Sequence, residues 1–410
     1  MHLKGKKYLI GEVETLELVK EFETPLYVYD ASKIVNQYQK LDGALSGIHH
    51  KIIYALKANS NLALLKLLRK EGAGLDAVSL EEVQIGLRAG YKPFEILYTP
   101  NSISFSEYQK AVRLGVRMNI DNIGILEHFG HEYGSKVPLC IRINPHVLAG
   151  GHGHIQTGHI DSKFGISIHQ LRHVHRIVKA YGLKVDGLHM HTGSEIVDVE
   201  TFLQAAEILL TAAEEFRDLE FLDFGSGFRV KYRPDDAETD VENLGAKLTK
   251  RFLKFCKAYG KKLELWFEPG KFLVSEAGYL LVRTNVVKQT PSTVFAGVDS
   301  GFNHLIRPMF YDAYHEITNV SNPFGVPRVY SVVGYICETD TFAWDRKINE
   351  VRVGDILCFS NAGAYGYAMS SNYNSHVRPA EVLIQKKKAS LIRRRETLDD
   401  LLRTQVVNDY

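Results

Sequence analysis

From residue 51 onward the chain alternates two kinds of hydrophobic pattern. The first is short and continuous: "KIIYAL", "AGLDAVS", "EILYTP", "VRMNID", "PLCIRIN", "VDGLHMHT", "LEFLDFG" and "LELWFEP". Apolar runs of this length predict interior parallel strands. The second repeats its apolar residues at three- and four-residue spacing, as in "LALLKLLRKEG", "LEEVQIGLRAG", "SEYQKAVRLG" and "VETFLQAAEILLTAAEEF". That spacing predicts helices, and the Gly that closes several of them suits a helix C-terminus. One more helix, "DASKIVNQYQKL", precedes the first strand.

Eight β units alternating with helices over about 230 residues predict a (β/α)8 barrel of the TIM type. An open doubly wound sheet is the competing arrangement, but no GxGxxG follows a first strand. Barrels do their chemistry at the C-terminal ends of the strands. Here those ends carry Lys57, Ser79, Asn144, His191, Gly225 and Glu268. After about residue 278 the texture changes to strand-like runs such as "GYLLVRTNVVKQT", "STVFAGVDS" and "RVYSVVGYIC", with no long helix. The expected organisation is therefore α/β: a barrel over 30–277 and a mainly β domain from 278–410, joined by 1–29.

Composition narrows the function classes. The 410 residues exceed one ordinary core, and 45% hydrophobic with 24% charged residues reads as globular. A net charge of +2 gives no reason to expect nucleic acid or an acidic membrane surface. The basic stretch "KKKASLIRRR" reads as a solvated tail. Cys140, Cys256, Cys337 and Cys358 show no CxxC, which fits a reduced compartment. The opening "MHLKGKKYLIGEVETLELVKEF" lacks the apolar core of a signal peptide, and no apolar run approaches the ~18 residues of a membrane span. The expected location is the cytoplasm.

Lys57 ends the first strand within "IIYALKANSN". A lysine emerging into solvent is the commoner meaning; an amine held at a barrel mouth, able to form a Schiff base, is the sharper one. Four other stretches bear on the choice. "HMHTGSEI" sets His191, Gly193 and Ser194 just past a strand, where an imidazole can stack on a flat ring. "DFGSGF" can leave backbone N–H groups around an anion. "FEPGKF" puts the Glu268 carboxylate at the last strand end, placed to face a protonated pyridine nitrogen. "CETDTF" and "NAGAYGYAMSSNYN" add Cys337, Glu338, Asp340 and Tyr365. No second Cys or nearby His stands at ligand spacing, so no metal is expected. Amine, ring stack, phosphate nest and carboxylate together describe a site for pyridoxal 5′-phosphate.

These motifs carry a resemblance. From "TPLYVYD" through "YALKAN", "HTGSEI", "EPGK", "CETDTF" and "GAYGYAMSSNYN" to "RPAEVLI", the chain resembles the diaminopimelate decarboxylase family. That family lies in the barrel group of pyridoxal-phosphate enzymes that includes alanine racemase and ornithine decarboxylase. The resemblance implies decarboxylation of meso-2,6-diaminopimelate to L-lysine, by a homodimer whose sites are completed by the partner's "CE" segment. It makes Lys57 the Schiff-base lysine and His191 the ring-stacking residue. Ser194, Gly227 and Tyr365 become phosphate contacts, and Glu268 the pyridine-nitrogen partner, with Pro269, Gly270 and Lys271 beside the cofactor. Within "RPMFYDAYH", Arg307 and Tyr311 would hold a substrate carboxylate; Glu338 would read the distal amine and Cys337 donate a proton. Lys271 and Tyr365 would also face substrate.

Two positions depart from the family pattern. Lys271 stands where an Arg is usual, which keeps the charge and loses the bidentate fork. Ser226 replaces the middle glycine of the turn, and is tolerated only if that position avoids positive φ. The His- and Gly-rich loop at 146–165 is read as a rim segment without assigned chemistry. The alternatives are a decarboxylase of the same fold acting on carboxynorspermidine, ornithine or arginine, or a non-catalytic homologue that binds the cofactor.

Overall fold

The computed structural model describes residues 1–147, 162–191, 193 and 196–407. Among the described residues, eight parallel strands close into a barrel: β1 (His50–Ala55), β2 (Gly74–Ala77), β3 (Ile96–Tyr98), β4 (Arg117–Ile120), β5 (Leu139–Asn144), β6 (Val185–Met190), β7 (Phe221–Asp223) and β8 (Glu264–Phe267). Each pairs with the next, and β8 returns to β1 with Phe267 opposite Ile52. All eight apolar runs expected as strands are strands of this barrel. The helices between them stop where the sequence signals it: Gly72, Gly115, Gly182 and Gly260 each follow a helix in the left-handed conformation.

The barrel interior changes character along the strands. Ile53, Leu97, Cys140, Phe221 and Trp266 form one buried apolar cluster. Two residues further along the chain stand Ala55, Arg142 and Asp223, on the same face of their strands, and Thr99 and Glu268, each the first residue past its strand. A side-chain period of two thus converts a hydrophobic floor into a polar chamber, on the side where the strands end.

By internal contacts the barrel unit comprises residues 35–231 and 237–273; a second unit comprises 1–34, 232–236 and 274–410. The second unit is built on the long strand Gly278–Gln289, which pairs antiparallel with Leu26–Asp30, Val294–Val298 and Ile356–Phe359. Strand Ala380–Gln385 adds parallel to Leu26–Asp30. Ile10, Leu18, Val28, Leu281, Cys358 and Val382 fill its core.

The basic stretch is not a solvated tail. Lys388–Arg393 forms an edge strand on Ala380–Gln385. The Arg393 guanidinium pairs with Glu381, whose carboxylate is fully buried and also accepts the Tyr29 hydroxyl at 2.6 Å. A buried carboxylate needs such a partner, so the cluster has a structural use that charge counting misses. Among the described residues no helix is long and apolar enough to cross a membrane.

Candidate active site

Lys57 does not continue β1. It sits in a single 3-10 turn, Leu56–Ala58, directly after the strand. The turn is pinned from behind: the Tyr54 hydroxyl donates to the Asn59 carbonyl at 3.0 Å, and the Asn59 side chain accepts the Asn61 N–H at 3.0 Å. Asn61 then caps the helix Leu62–Glu71 through the Ala63 N–H. With its backbone so fixed, Lys57 lies at the barrel mouth with Nζ 3.4 Å from Asp76 Oδ2. Burial and then the charge of Glu268 push Asp76 up from its usual range, against the pull of Lys57.

Glu268 immediately follows β8 and is almost fully buried. Its Oε2 lies 3.3 Å from His189 Nε2, while His189 Nδ1 lies 2.8 Å from the Asn119 amide nitrogen. Burial by itself would raise the Glu268 carboxyl. The contact with His189 and the charge of Lys57 outweigh burial and hold it well below the usual carboxylate range. The barrel therefore keeps an anion at this point. Burial, followed by the neighbouring cations Lys57 and Arg142, keeps His191 well below the ordinary imidazole range, so its ring is neutral.

The turn "GSG" is stitched to that carboxylate's backbone. Glu268 N–H donates to the Gly225 carbonyl at 2.7 Å, and the Ser226 hydroxyl donates to the Glu268 carbonyl at 2.9 Å. Gly225 and Gly227 have φ of 62° and 112°, whereas Ser226 is not among the residues with positive φ. The serine thus occupies the one position of the three that tolerates a side chain. A Cβ on Gly227 would stand 2.2 Å from the Gly193 carbonyl oxygen, and one on Gly225 would stand 2.6 Å from the Met190 carbonyl oxygen. The turn must be bare to lie this close to its neighbours.

Among the other residues singled out in the sequence, Pro269 accepts the Ala55 N–H at 3.2 Å, and a Cβ on Gly270 would meet Ala58 at 3.1 Å. Lys271 opens the short helix Lys271–Val274. Ser79 uses its hydroxyl to cap the helix Leu80–Arg88. Ser194 and most of the loop at 146–165 lie outside the described residues.

Six more belong to the second unit: Arg307, Tyr311, Cys337, Glu338, Asp340 and Tyr365. Arg307 begins the helix Arg307–Tyr311, is 5% exposed, and faces the Tyr232 ring at 5.2 Å. No carboxylate pairs with it among the described residues, and its Nε lacks a partner. Cys337 and Glu338 are exposed. The Asn374 amide donates to Cys337 Sγ at 3.2 Å, and the Tyr373 hydroxyl donates to Glu338. Asp340 holds this turn by accepting the Phe302 and Ile336 N–H groups. Tyr365 has a positive φ of 56°.

The sequence reading missed Asp76, Asn119, Arg142, His189 and Asp223. Each is a polar residue within an apolar strand run, and that misfit was the available signal. Buried polar side chains in a parallel strand need partners. Here Asn119 meets His189, Asp76 meets Lys57 and Asp223 accepts the Gly225 N–H, while Asp76 Oδ1, Asn119 Oδ1 and Asp223 Oδ2 have no partner among the described residues.

Comparison with known proteins agrees with the geometry. Residues 31–275 match the family model for the pyridoxal-binding domain of pyridoxal-dependent decarboxylases. The residues fit that cofactor: a buried Glu268 oxygen has no partner, a bare glycine turn stands beside it, and an amine lies at the mouth. Fold and site together define a barrel-type, pyridoxal-phosphate-dependent decarboxylase. The chain is 41% identical to the diaminopimelate decarboxylase of Methanothermobacter thermautotrophicus, covering 97% of this chain and 95% of that protein. It is 37% identical to that of Pseudomonas aeruginosa, over 94% and 93% of the two chains. The crystal structure of the M. jannaschii diaminopimelate decarboxylase in complex with L-lysine superposes with a TM-score of 0.91 at 32% identity, covering 99% of this chain and 98% of that one. The chain belongs to the diaminopimelate decarboxylase family.

Proposed function

We propose that this enzyme converts meso-2,6-diaminopimelate to L-lysine and CO2, the last step of lysine biosynthesis. For substrate choice the reading rests on Arg307, a buried guanidinium without a carboxylate partner among the described residues. Burying an unpaired cation is costly, so such a side chain suits a ligand that brings its own anion. The distal end of diaminopimelate carries both a carboxylate and an ammonium. Arg307 and Tyr311 receive the first, and Glu338 the second.

Pyridoxal phosphate, when bound, supplies the sink for the electron pair that departing CO2 leaves behind. The protein's own groups do the rest. Lys57 would supply the amine that holds the cofactor. Glu268 would present an anion to its ring-nitrogen end, beside Pro269, Gly270 and Lys271. His191, as a neutral ring, would stack on it, and Ser194, Gly227 and Tyr365 would hold its phosphate. Cys337 or Lys57 returns a proton to the α-carbon, and Lys271 and Tyr365 also face substrate.

We further propose a homodimer, in which the exposed Cys337 and Glu338 act in the partner's site. The functional division is a barrel over 30–277 with a β domain from 1–29 and 278–410. A cytoplasmic location accords with four cysteines that form no disulfide.

Product identification tests the reading: purified enzyme with pyridoxal phosphate should release CO2 and L-lysine from meso-diaminopimelate. Arg307→Ala should lower kcat/KM by roughly 2–4 kcal/mol, the cost of stranding a buried charged contact. Preference for ornithine or lysine as substrate, or an unchanged preference for diaminopimelate in Arg307→Ala, overturns the assignment.

A further inference from the structure

The polar chamber holds one carboxyl that this reaction leaves without a role. Asp223 ends β7 and is completely buried. Its Oδ1 accepts the Gly225 N–H at 2.8 Å, while Oδ2 has no donor among the described residues. Ligand-capable atoms of Asp223, Glu268 and His189 all lie within 4.8 Å of one another. Two buried carboxylates so close repel, and neither can donate to the other while both are ionised.

The neighbouring chain of hydrogen bonds decides which of them keeps the proton. The Asn119 amide nitrogen contacts both Thr99 Oγ1 at 3.3 Å and His189 Nδ1 at 2.8 Å. An amide donor at Nδ1 leaves Nε2 as the protonated ring nitrogen, and Nε2 faces Glu268 at 3.3 Å. Glu268 thus has an N–H facing it at 3.3 Å, although not in hydrogen-bond geometry, whereas Asp223 Oδ2 has no donor among the described residues. The remaining charged groups around the pair are Lys57, Asp76 and Arg142, with Lys57 lying beside Asp76.

We propose that Asp223 is a positioning residue kept as a neutral carboxylic acid, giving its O–H to Glu268 and accepting the Gly225 N–H with its other oxygen. One side chain thereby ties the ring-nitrogen carboxylate to the phosphate turn, so the two ends of the cofactor are held in a fixed relation. Burial first, then the charge of Glu268 and the hydrogen bond to it, push Asp223 well above the usual carboxylate range, in agreement with the geometry. Glu268 is left as the single anion of the pair, and a carboxylate oxygen that faces one N–H retains room for another donor.

The inference rests on the proposed pyridoxal-phosphate reading and is tested on cofactor binding, apart from turnover. Asp223→Asn keeps an acceptor for Gly225 and a donor for Glu268 but carries no charge. Asp223→Ala has neither. Titration of the apoenzymes with pyridoxal phosphate, and the absorption band of the loaded enzymes from about pH 6 to 10, should separate them. The expected result is an Asn variant within ~3-fold of wild-type affinity with its band unmoved, and an Ala variant at least ~10-fold weaker with a shifted band. An Asn variant as impaired as Ala overturns the proposal, because it means that the charge is needed. So does an Ala variant whose band and affinity match wild type while only its melting temperature falls, because that is a purely structural role. If Asp223→Ala does not fold, Asp223→Asn decides alone, since a neutral acid is mimicked by it and an anion is not. A wild type that binds the cofactor but makes no lysine sinks the proposed reaction and leaves this comparison readable.

Discussion

Gly187 carries the sharpest structural prediction. It lies in β6 directly opposite Phe221 of β7, on the apolar floor of the barrel. A Cβ added there would sit 2.2 Å from Phe221 Cζ and 2.6 Å from both Cε atoms. Ordinary contact needs more than 3.4 Å, so the ring would have to move by more than an ångström. It has nowhere to go. Phe221 stacks on Trp266 with centroids 3.9 Å apart and planes 14° from parallel. The Arg117 guanidinium lies 5.6 Å from one ring and 5.4 Å from the other, and Lys51 lies 4.8 Å from the indole. The indole is also fixed by its N–H donating to Glu264 at 2.6 Å. Overpacking costs ~1–3 kcal/mol and a broken aromatic pair ~0.5–1.5 kcal/mol, so Gly187→Ala should destabilise by about 2–4 kcal/mol. At roughly 2–4 °C per kcal/mol for a large domain, the melting temperature should fall by about 4–15 °C. Calorimetry on the wild type, Gly187→Ala, Phe221→Leu and the double variant checks this. Leucine removes the ring edge, so the double variant should lose less than the two singles combined. A Gly187→Ala protein within ~1 kcal/mol of wild type, or strict additivity in the double variant, would refute the reasoning.

Other outcomes are equally concrete. Borohydride reduction of the pyridoxal-phosphate-loaded enzyme followed by peptide mapping should tag Lys57; a tag on Lys271 instead rejects its role. Mixing inactive Lys57→Ala and Cys337→Ala subunits should restore part of the activity, and no recovery despite proven subunit exchange counts against a shared site. Burial pushes His304 down to about 4 and His315 down to about 3, so both rings are neutral when folded and take up a proton when unfolded. Stability they provide above the unfolded value of ~6.5 is therefore lost as pH falls through it towards the folded values, at about 1.4 kcal/mol per pH unit for each ring. Urea unfolding at pH 7 and pH 5 should show His315→Gln losing about 2 kcal/mol less than wild type between the two, and equal losses would exclude the idea.

Much of the architecture was legible because barrel strands and their helices carry different hydrophobic periods, and burial enforces both. The lysine after "YAL", the "GSG" turn and the carboxylate of "FEPG" also stood out, since each interrupts an apolar run where a strand must end. Ser226 could be read only conditionally from sequence, since the φ it adopts depends on how the turn meets Gly193 and Met190. Asp76, Asn119, Arg142, His189 and Asp223 were invisible as a group, because they come from five strands and meet only through barrel closure. Sequence fixes that each alternates with apolar neighbours, but not which face is the inside or which side chains then touch. The same holds for Arg393, whose partner Glu381 is defined by strand pairing, and for residues 232–236, whose contacts group them with the β unit though the chain passes through them between β7 and β8. Local pattern determined the elements. Closure of the barrel in three dimensions decided which polar groups share a low-dielectric space, and hence which of them keep their protons.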